Sequence, residues 1–197
     1  CRDSEVATRR FDVPTDSSGG VVLTRTGRRF FNDESVELAL LDKLRAAVGT
    51  AGLWDELDTD WLALDAELLP WSAKAGELLT RQYAPTGAAA TAMLPVAAEL
   101  LAQAAERGVE LGSLDQRTAT RADLAQRYVD AYRNYCWTVN SVDDLQLAPF
   151  VVLAGEGEVH ATKPHAWHLA TIDKLCLADP ATLRSTERRV VDLDDAA

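Results

Sequence analysis

From Leu62 to Leu68 the chain alternates: Leu62, Leu64, Ala66 and Leu68 are apolar, and Asp65 and Glu67 stand between the later ones. Period-two alternation predicts a half-buried strand with both carboxylates on the face turned away from the core. Pro70 ends that strand because it has no ladder N–H, and Trp71-Ser72 opens a helix. Upstream, Val21–Arg25 and Arg28–Phe31 are β-type runs around Thr26-Gly27, the pattern of a hairpin with glycine where positive φ is wanted. Arg9-Arg10-Phe11 before Pro14 suggests a basic turn, and residues 15–20 carry loop chemistry. A helix is expected over about 34–48, capped by Asn32 or Asp33. Val36, Leu40, Leu41, Leu44 and Val48 share its apolar face, and Gly49 closes it.

After Trp71 the texture is helical as far as Tyr135. One helix is expected over 72–83, and an alanine-rich second over 87–107 that Pro95 kinks or divides. A third starts at Thr120, with Asp123 completing a capping pattern and Leu124, Tyr128, Ala131, Tyr132 and Tyr135 as its stripe. Gln146–Ala154 returns to strand, Gly155–Glu158 is a turn, and helices follow at 165–178 and 180–186, the second capped by Asp179. Arg189–Leu193 makes a last short strand. The domain plan is therefore 1–71 as the first part of a core, 72–136 as a helical insert and 137–197 as the return to that core. The fold class is α+β.

A chain of 197 residues that is 47% hydrophobic and 26% charged has enough apolar material for a true core. No apolar run approaches the ~18 residues that span a bilayer, so no membrane association is expected. Three cysteines without a Cys-x-x-Cys pattern suggest free thiols in a reducing, cytoplasmic setting. Cys1 resembles the lipidated residue of a lipoprotein, but Arg2-Asp3-Ser4-Glu5 runs directly into structure, which favours a piece of a longer polypeptide. The net charge of −11 excludes a surface that is basic throughout. Residues 1–31 nevertheless hold six arginines against four acids, so a polyanion site belongs near that end.

The arginines around Thr26-Gly27 are compatible with a solvated hairpin tip or with phosphate contacts, since a guanidinium matches phosphate oxygens bidentately. His160, His165, His168 and Cys176 can be drawn as a metal site, but their spacing fits no standard zinc pattern. Glu156-Gly157-Glu158-Val159 with Lys163 imitates the Glu-Gly-x-Val-x-Lys strand of nucleotidyltransferases, with the lysine too far along the chain. P-loop, dinucleotide and nucleophile-elbow motifs are absent.

Taken together, several segments resemble the ligase module of bacterial polynucleotide kinase–phosphatase. They are Cys1-Arg2-Asp3, Thr24–Phe31, Leu64–Lys74, Tyr132–Trp137, Asp143–Phe150 and Val159–His168. The resemblance implies a covalent nucleotidyltransferase core of the nucleic-acid-ligase type carrying a large α-helical insertion. It implies an ATP-dependent RNA ligase that adenylylates itself on a lysine and seals RNA ends during repair, using ATP and a divalent metal (Mg²⁺ or Mn²⁺). Kinase and phosphatase modules of the same polypeptide and an RNA 2′-O-methyltransferase are the implied partners. By the same resemblance Glu67 faces the nucleotide or its metal, Phe150 lies against the adenine, and Arg25 and Arg28 flank the phosphates or the RNA end.

None of Lys43, Lys74, Lys163 or Lys174 stands in a Lys-x-x-Gly context. The nucleophilic lysine is therefore expected upstream of Cys1, and the later lysine-bearing strands beyond Ala197. On that expectation this chain is the middle of a ligase module and is inactive alone. The alternative from a different class is a non-catalytic helical module whose acidic surface docks a protein partner.

Overall fold

A computed structural model describes residues 1–14, 19–189 and 191. The chain divides into two compact units, one of Cys1–Leu69 with Val139–Ala197 and one of Pro70–Thr138.

The first unit is α+β. Helix α1 (Ser4–Phe11) replaces the basic turn expected there. Asp3 caps it by accepting the Val6 N–H at 2.8 Å, and Arg9 and Arg10 sit in its last turn, where cations complement the helix dipole. The arms flanking Thr26-Gly27 form a hairpin held by a single bridge, Leu23 to Arg29, rather than two regular strands. Gly27 takes the positive φ (77°) that the turn requires. Helix α2 (Glu34–Thr50) starts at the Asp33 cap and runs through Gly49, with Gly52 making the left-handed exit instead. A short helix α3 (Leu53–Glu56) follows; four residues carry too little periodicity to be foreseen.

Strands β1 (Ala63–Leu69), β2 (Gln146–Gly155) and β3 (Glu158–Val159) form an antiparallel sheet in that order. Helix α7 (His165–Ala178) covers β2, and α2 packs on α7. Leu40, Leu53, Leu145, Val152, Ile172 and Leu175 fill the space between them and are almost fully buried. After α7 the expected helix at 180–186 is absent. Asp179 caps only a turn, accepting the Thr182 N–H at 3.2 Å, and Leu183 then pairs parallel with Leu147. Backbone bonds from Leu147 N to Thr182 O and from Arg184 N to Leu147 O satisfy that edge of β2 and compete with helix continuation. The expected strand at 189–193 and most of the loop at 15–20 lie outside the described residues.

The second unit is all helix. Helix α4 (Ser72–Leu78), kinked at Ala75 where the backbone leaves helical geometry (φ −96°, ψ 18°), a π-helical segment (Leu79–Tyr83) and helix α5 (Ala84–Glu106) follow one another directly, joining what the sequence divides. The π segment lies directly ahead of Pro85, whose ring offers no N–H to the carbonyl four residues back, so the wider turn absorbs the mismatch. Pro95 sits inside α5 and does not divide it. This run contains an 18-residue window of mean hydropathy 1.4 with at most two charges, none of it buried. By length and composition it could cross a membrane, which corrects the expectation that no such run exists; alanine supplies much of the apolarity.

Helix α6 (Leu114–Arg133) begins six residues before Thr120. Thr120 is interior and donates to the Gln116 carbonyl rather than capping. Its buried positions are Thr118, Ala125 and Val129, while Leu124 and Tyr135 are exposed, so the true stripe lies one residue round from the tyrosine-based one. Aromatic packing continues through Trp71, Tyr83, Tyr128 and Tyr132, each ring 5.1–6.1 Å from the next. Two bonds close the unit on itself, Trp71 N to Tyr135 O at 2.7 Å and Ser72 Oγ to Trp137 O at 2.6 Å.

Gly87 is where α5 meets α6, and a Cβ added there would stand 2.8 Å from Val129 Cγ2. Helix propensity alone favours alanine by about 1 kcal/mol. The clash is with a stiff β-branched side chain, and overpacking of this kind costs about 1–3 kcal/mol. Gly87→Ala should therefore lower the melting temperature, and Gly87→Ala with Val129→Ala should recover much of the loss relative to Val129→Ala alone. A rise in melting temperature for Gly87→Ala would show that the helices separate freely at this point.

Candidate functional site

The site is built on the pairing of β1 with β2. Strand β1 is regular, but β2 carries two extra residues. Asp65 pairs with Val151 and Ala66 with Pro149, which leaves Phe150 as the residue of a β-bulge; a second bulge leaves Leu153 between the partners of Ala63 and Leu64. Bulges bend a strand and re-aim side chains. Leu68, Leu147, Pro149 and Val152 mark the buried face. Asp65 and Glu67 share the other face by simple alternation along β1. Glu67 is exposed, whereas Asp65 and Phe150 are half-buried. Phe150 thus falls at the bulge opposite the Asp65–Ala66 step, one pleat from Glu67 and its partner Ala148.

The hairpin reaches the same strand. Arg25 Nη2 lies 3.3 Å from Asp65 Oδ2, with four-fifths of the arginine side chain still exposed. Arg28 is exposed, and its guanidinium makes no ion pair or hydrogen bond among the described residues. The other arginines of the basic N-terminal segment have acidic partners: Arg2 and Arg9 with Asp60, Arg10 with Glu156, and Arg29 with Glu37. The charge excess visible in the sequence is therefore largely offset by pairs within the fold, although Arg2, Arg9 and Arg29 stay half or more exposed. Glu37 is the functional candidate that sequence reasoning missed, a charged residue on a helix face otherwise chosen by its leucines and valines.

The far ends of the strands are fixed by a separate polar network. Thr59 Oγ1 donates to Trp61 O at 2.6 Å and accepts the Glu156 N–H at 2.7 Å. Glu156 in turn accepts from the Trp61 indole at 3.0 Å and from Arg10 at 2.6 Å, while Phe11 packs edge-on against Trp61. Glu156 is thus a structural anchor at the end of β2.

The histidines do not converge on a metal. Among the described residues no three His, Cys, Asp or Glu side chains could hold an ion. His168 is buried and its Nδ1 accepts the Val152 N–H at 3.2 Å, tying α7 to β2. Cys176 is buried, and burial pushes its thiol pKa up. His160 is buried against Trp167 (5.1 Å between rings), and its Nδ1 has no hydrogen-bond partner among the described residues. Glu158 Oε1 stands 3.6 Å from that nitrogen but is held by Lys163 at 3.0 Å. A Mg²⁺ ion carried in by an anionic ligand would need only one or two protein carboxylates, and on this face Glu67 could supply one, Asp65 being engaged by Arg25.

The α+β unit thus carries an acidic strand, a bulged aromatic beside it and two exposed arginines. The PNKP adenylyltransferase (ligase) domain family matches residues 1–197, the whole chain, and the chain belongs to that family. It is accordingly a ligase-type enzyme module. No curated protein matches it.

Burial, and then the nearby Lys163 ammonium, hold the His160 pKa below its usual value, with Glu158 opposing. The unfolded chain therefore takes up this proton first as pH falls, so stability is complete above about 6.5 and declines as pH drops towards the native pKa. Urea midpoints measured between pH 7.5 and 5 should fall more steeply for the wild type than for His160→Phe, which keeps the ring packing and removes the proton site. Equal slopes would mean that His160 titrates alike in both states.

Proposed function

We propose that this module serves an ATP-dependent RNA ligase that adenylylates itself on a lysine and seals RNA ends during repair in the cytoplasm. The observation that carries the reading is that Asp65, Glu67, the Phe150 bulge and the Arg25 hairpin come together on one strand pair of a chain from the PNKP ligase family. The half-buried Phe150 ring offers a stacking surface for a base, and Arg25 and Arg28 offer charge-assisted hydrogen bonds to phosphate oxygens. Glu67, exposed and on the same face as Asp65, orients the nucleotide or its metal. Asp65 holds Arg25 and so acts on the phosphate side at second hand. Kinase and phosphatase modules in the same polypeptide, with an RNA 2′-O-methyltransferase, complete the proposed setting.

In this reading a lysine displaces pyrophosphate from the α-phosphate of ATP, forming a covalent lysine–AMP. The AMP passes to an RNA 5′-phosphate, and a 3′-hydroxyl then displaces it and closes the phosphodiester. The lysine is proposed to lie outside these 197 residues. Lys43, Lys163 and Lys174 are each paired with a carboxylate, of Asp143, Glu158 and Glu56 respectively. The isolated chain treated with ATP and Mn²⁺ should show no added AMP mass, and an adduct on any of its four lysines would relocate the nucleophile.

The decisive residue is Glu67. A solvated surface acid would cost at most ~0.5 kcal/mol of stability on removal and nothing in chemistry. A carboxylate that orients the nucleotide or its metal is worth about 2–4 kcal/mol of transition-state stabilisation, a hundredfold or more in rate. In the intact polypeptide, Glu67→Ala should therefore slow retention of label from ATP by at least that factor at unchanged melting temperature. Normal labelling would reject the reading of this strand as the active-site wall. Complete absence of label from the unmodified polypeptide would favour a non-catalytic module instead.

A further inference from the structure

We infer that Glu37 is the positioning residue that sets where Arg25 and Arg28 stand. This rests on the proposed role of the hairpin in meeting RNA phosphates and names a residue through which that role is controlled. Glu37 lies in the first turn of α2 and is buried, with only 3% of its side chain exposed. Its two oxygens divide between the two arms of the hairpin. Oε1 accepts the Val22 backbone N–H at 2.6 Å, and Oε2 accepts from Arg29 Nη1 at 3.1 Å. Val22 and Arg29 flank the tip: the Phe30 N–H bonds the Val22 carbonyl at 2.9 Å, and the Thr24 N–H bonds the Arg28 carbonyl at 2.8 Å. One carboxylate thus clamps both arms at their base, and the turn they carry presents Arg25 and Arg28.

The clamp matters because the hairpin's own bonds, three between backbone groups and those of the Thr24 hydroxyl, join its arms to each other and not to the rest of the unit. The hairpin holds a single bridge, Leu23 to Arg29, far short of a self-supporting pair of strands. The Arg25–Asp65 contact at its tip is largely exposed and weak against water and salt. Helix α2, by contrast, is anchored through buried Leu40, Ala47 and Val48. A buried carboxylate bonded to a backbone N–H and a guanidinium is a short, desolvated link from that anchored helix to the lighter hairpin. Glu37 touches no ligand in this assignment and acts through the two arginines.

The test uses the intact polypeptide and a 5′-phosphorylated single-stranded RNA oligonucleotide, with affinity measured by fluorescence anisotropy over a salt series. Arg25→Ala/Arg28→Ala should weaken binding and reduce the slope of log affinity against log salt by about 0.7 for each phosphate no longer engaged. Glu37→Gln, which keeps the size and one acceptor, should weaken binding about tenfold and reduce the slope in the same sense. Added to the double arginine variant it should change nothing further, because its effect runs through those side chains. Arg29→Lys, which keeps the exposed charge but not the planar fork, should move affinity in the same direction and serves if Glu37→Gln melts below the assay temperature. Unchanged affinity and slope in a folded Glu37→Gln, or an additive loss on the double arginine background, would overturn the assignment while leaving the hairpin's role intact. An arginine double variant that binds RNA normally would overturn the hairpin's role as well, and the two failures are therefore separable.

Discussion

The structure depends on the bulged register between β1 and β2. With regular pairing the sheet would set a continuous alternation across both strands. The extra residue at Phe150 instead lets β2 bury Leu147, Pro149 and Val152 while placing an aromatic side chain outside that buried series, opposite the Asp65–Ala66 step. Strand β1 remains regular, so Asp65 and Glu67 stay on one face while Leu68 stays in the core. The N–H of Val152 is taken by His168 on α7. The bulged strand is therefore held from its covered side, where the ladder is least regular. A buried N–H left without that partner would cost about 1–3 kcal/mol, enough to make an irregular strand yield.

Beside this sheet the hairpin is a light element whose contacts differ in kind. The Arg25–Asp65 pair is open to solvent on the arginine side, and such pairs contribute about 0–1 kcal/mol. Breaking a buried pair by removing one partner typically costs about 3–5 kcal/mol, because a desolvated charge is left behind. Glu37 with Arg29 lies nearer that case, since the carboxylate is buried even though the guanidinium is not. The hairpin is thus fixed at its base and loosely tied at its tip.

Much of this was legible in sequence where one physical rule acts alone. The alternation through Leu68, the Asp33 cap and the α7 span of 165–178 each follow from local periodicity or capping, and they stand as expected. The failures occur where two rules compete. Helix α1 hides behind a charged octapeptide whose only buried residues are Val6 and Ala7, too few to form a stripe. Tyrosine-based periodicity misplaces the α6 face because alanine, valine and threonine make the close approach that Gly87 permits. The π segment before Pro85 joins two helices that proline rules separate. The site residues were visible as types, and their joint placement was not, because a bulge leaves no mark in a strand that reads as continuous apolar residues.

The two carboxylates of β1 differ in their surroundings. Both lie on one face, two residues apart, and alternation treats them alike, the family resemblance alone favouring Glu67. Asp65 is half-buried and already engaged with Arg25, whereas Glu67 is exposed and has Ala148 opposite it. A small partner across the strand leaves room above the sheet, and a carboxylate that accepts no bond among the described residues keeps its acceptors for whatever enters that room. On the proposed reading, an anion approaching Arg25 would compete with Asp65 and meet a contact weak enough to exchange, while the buried Glu37 link holds the hairpin's base. A strong tip contact would hold Arg25 closed against a phosphate, and a weak base would let the arginines wander when the tip is released. On the proposed reading, the division between a buried link at Glu37 and an exposed one at Asp65 would let the tip respond to charge while its position is kept.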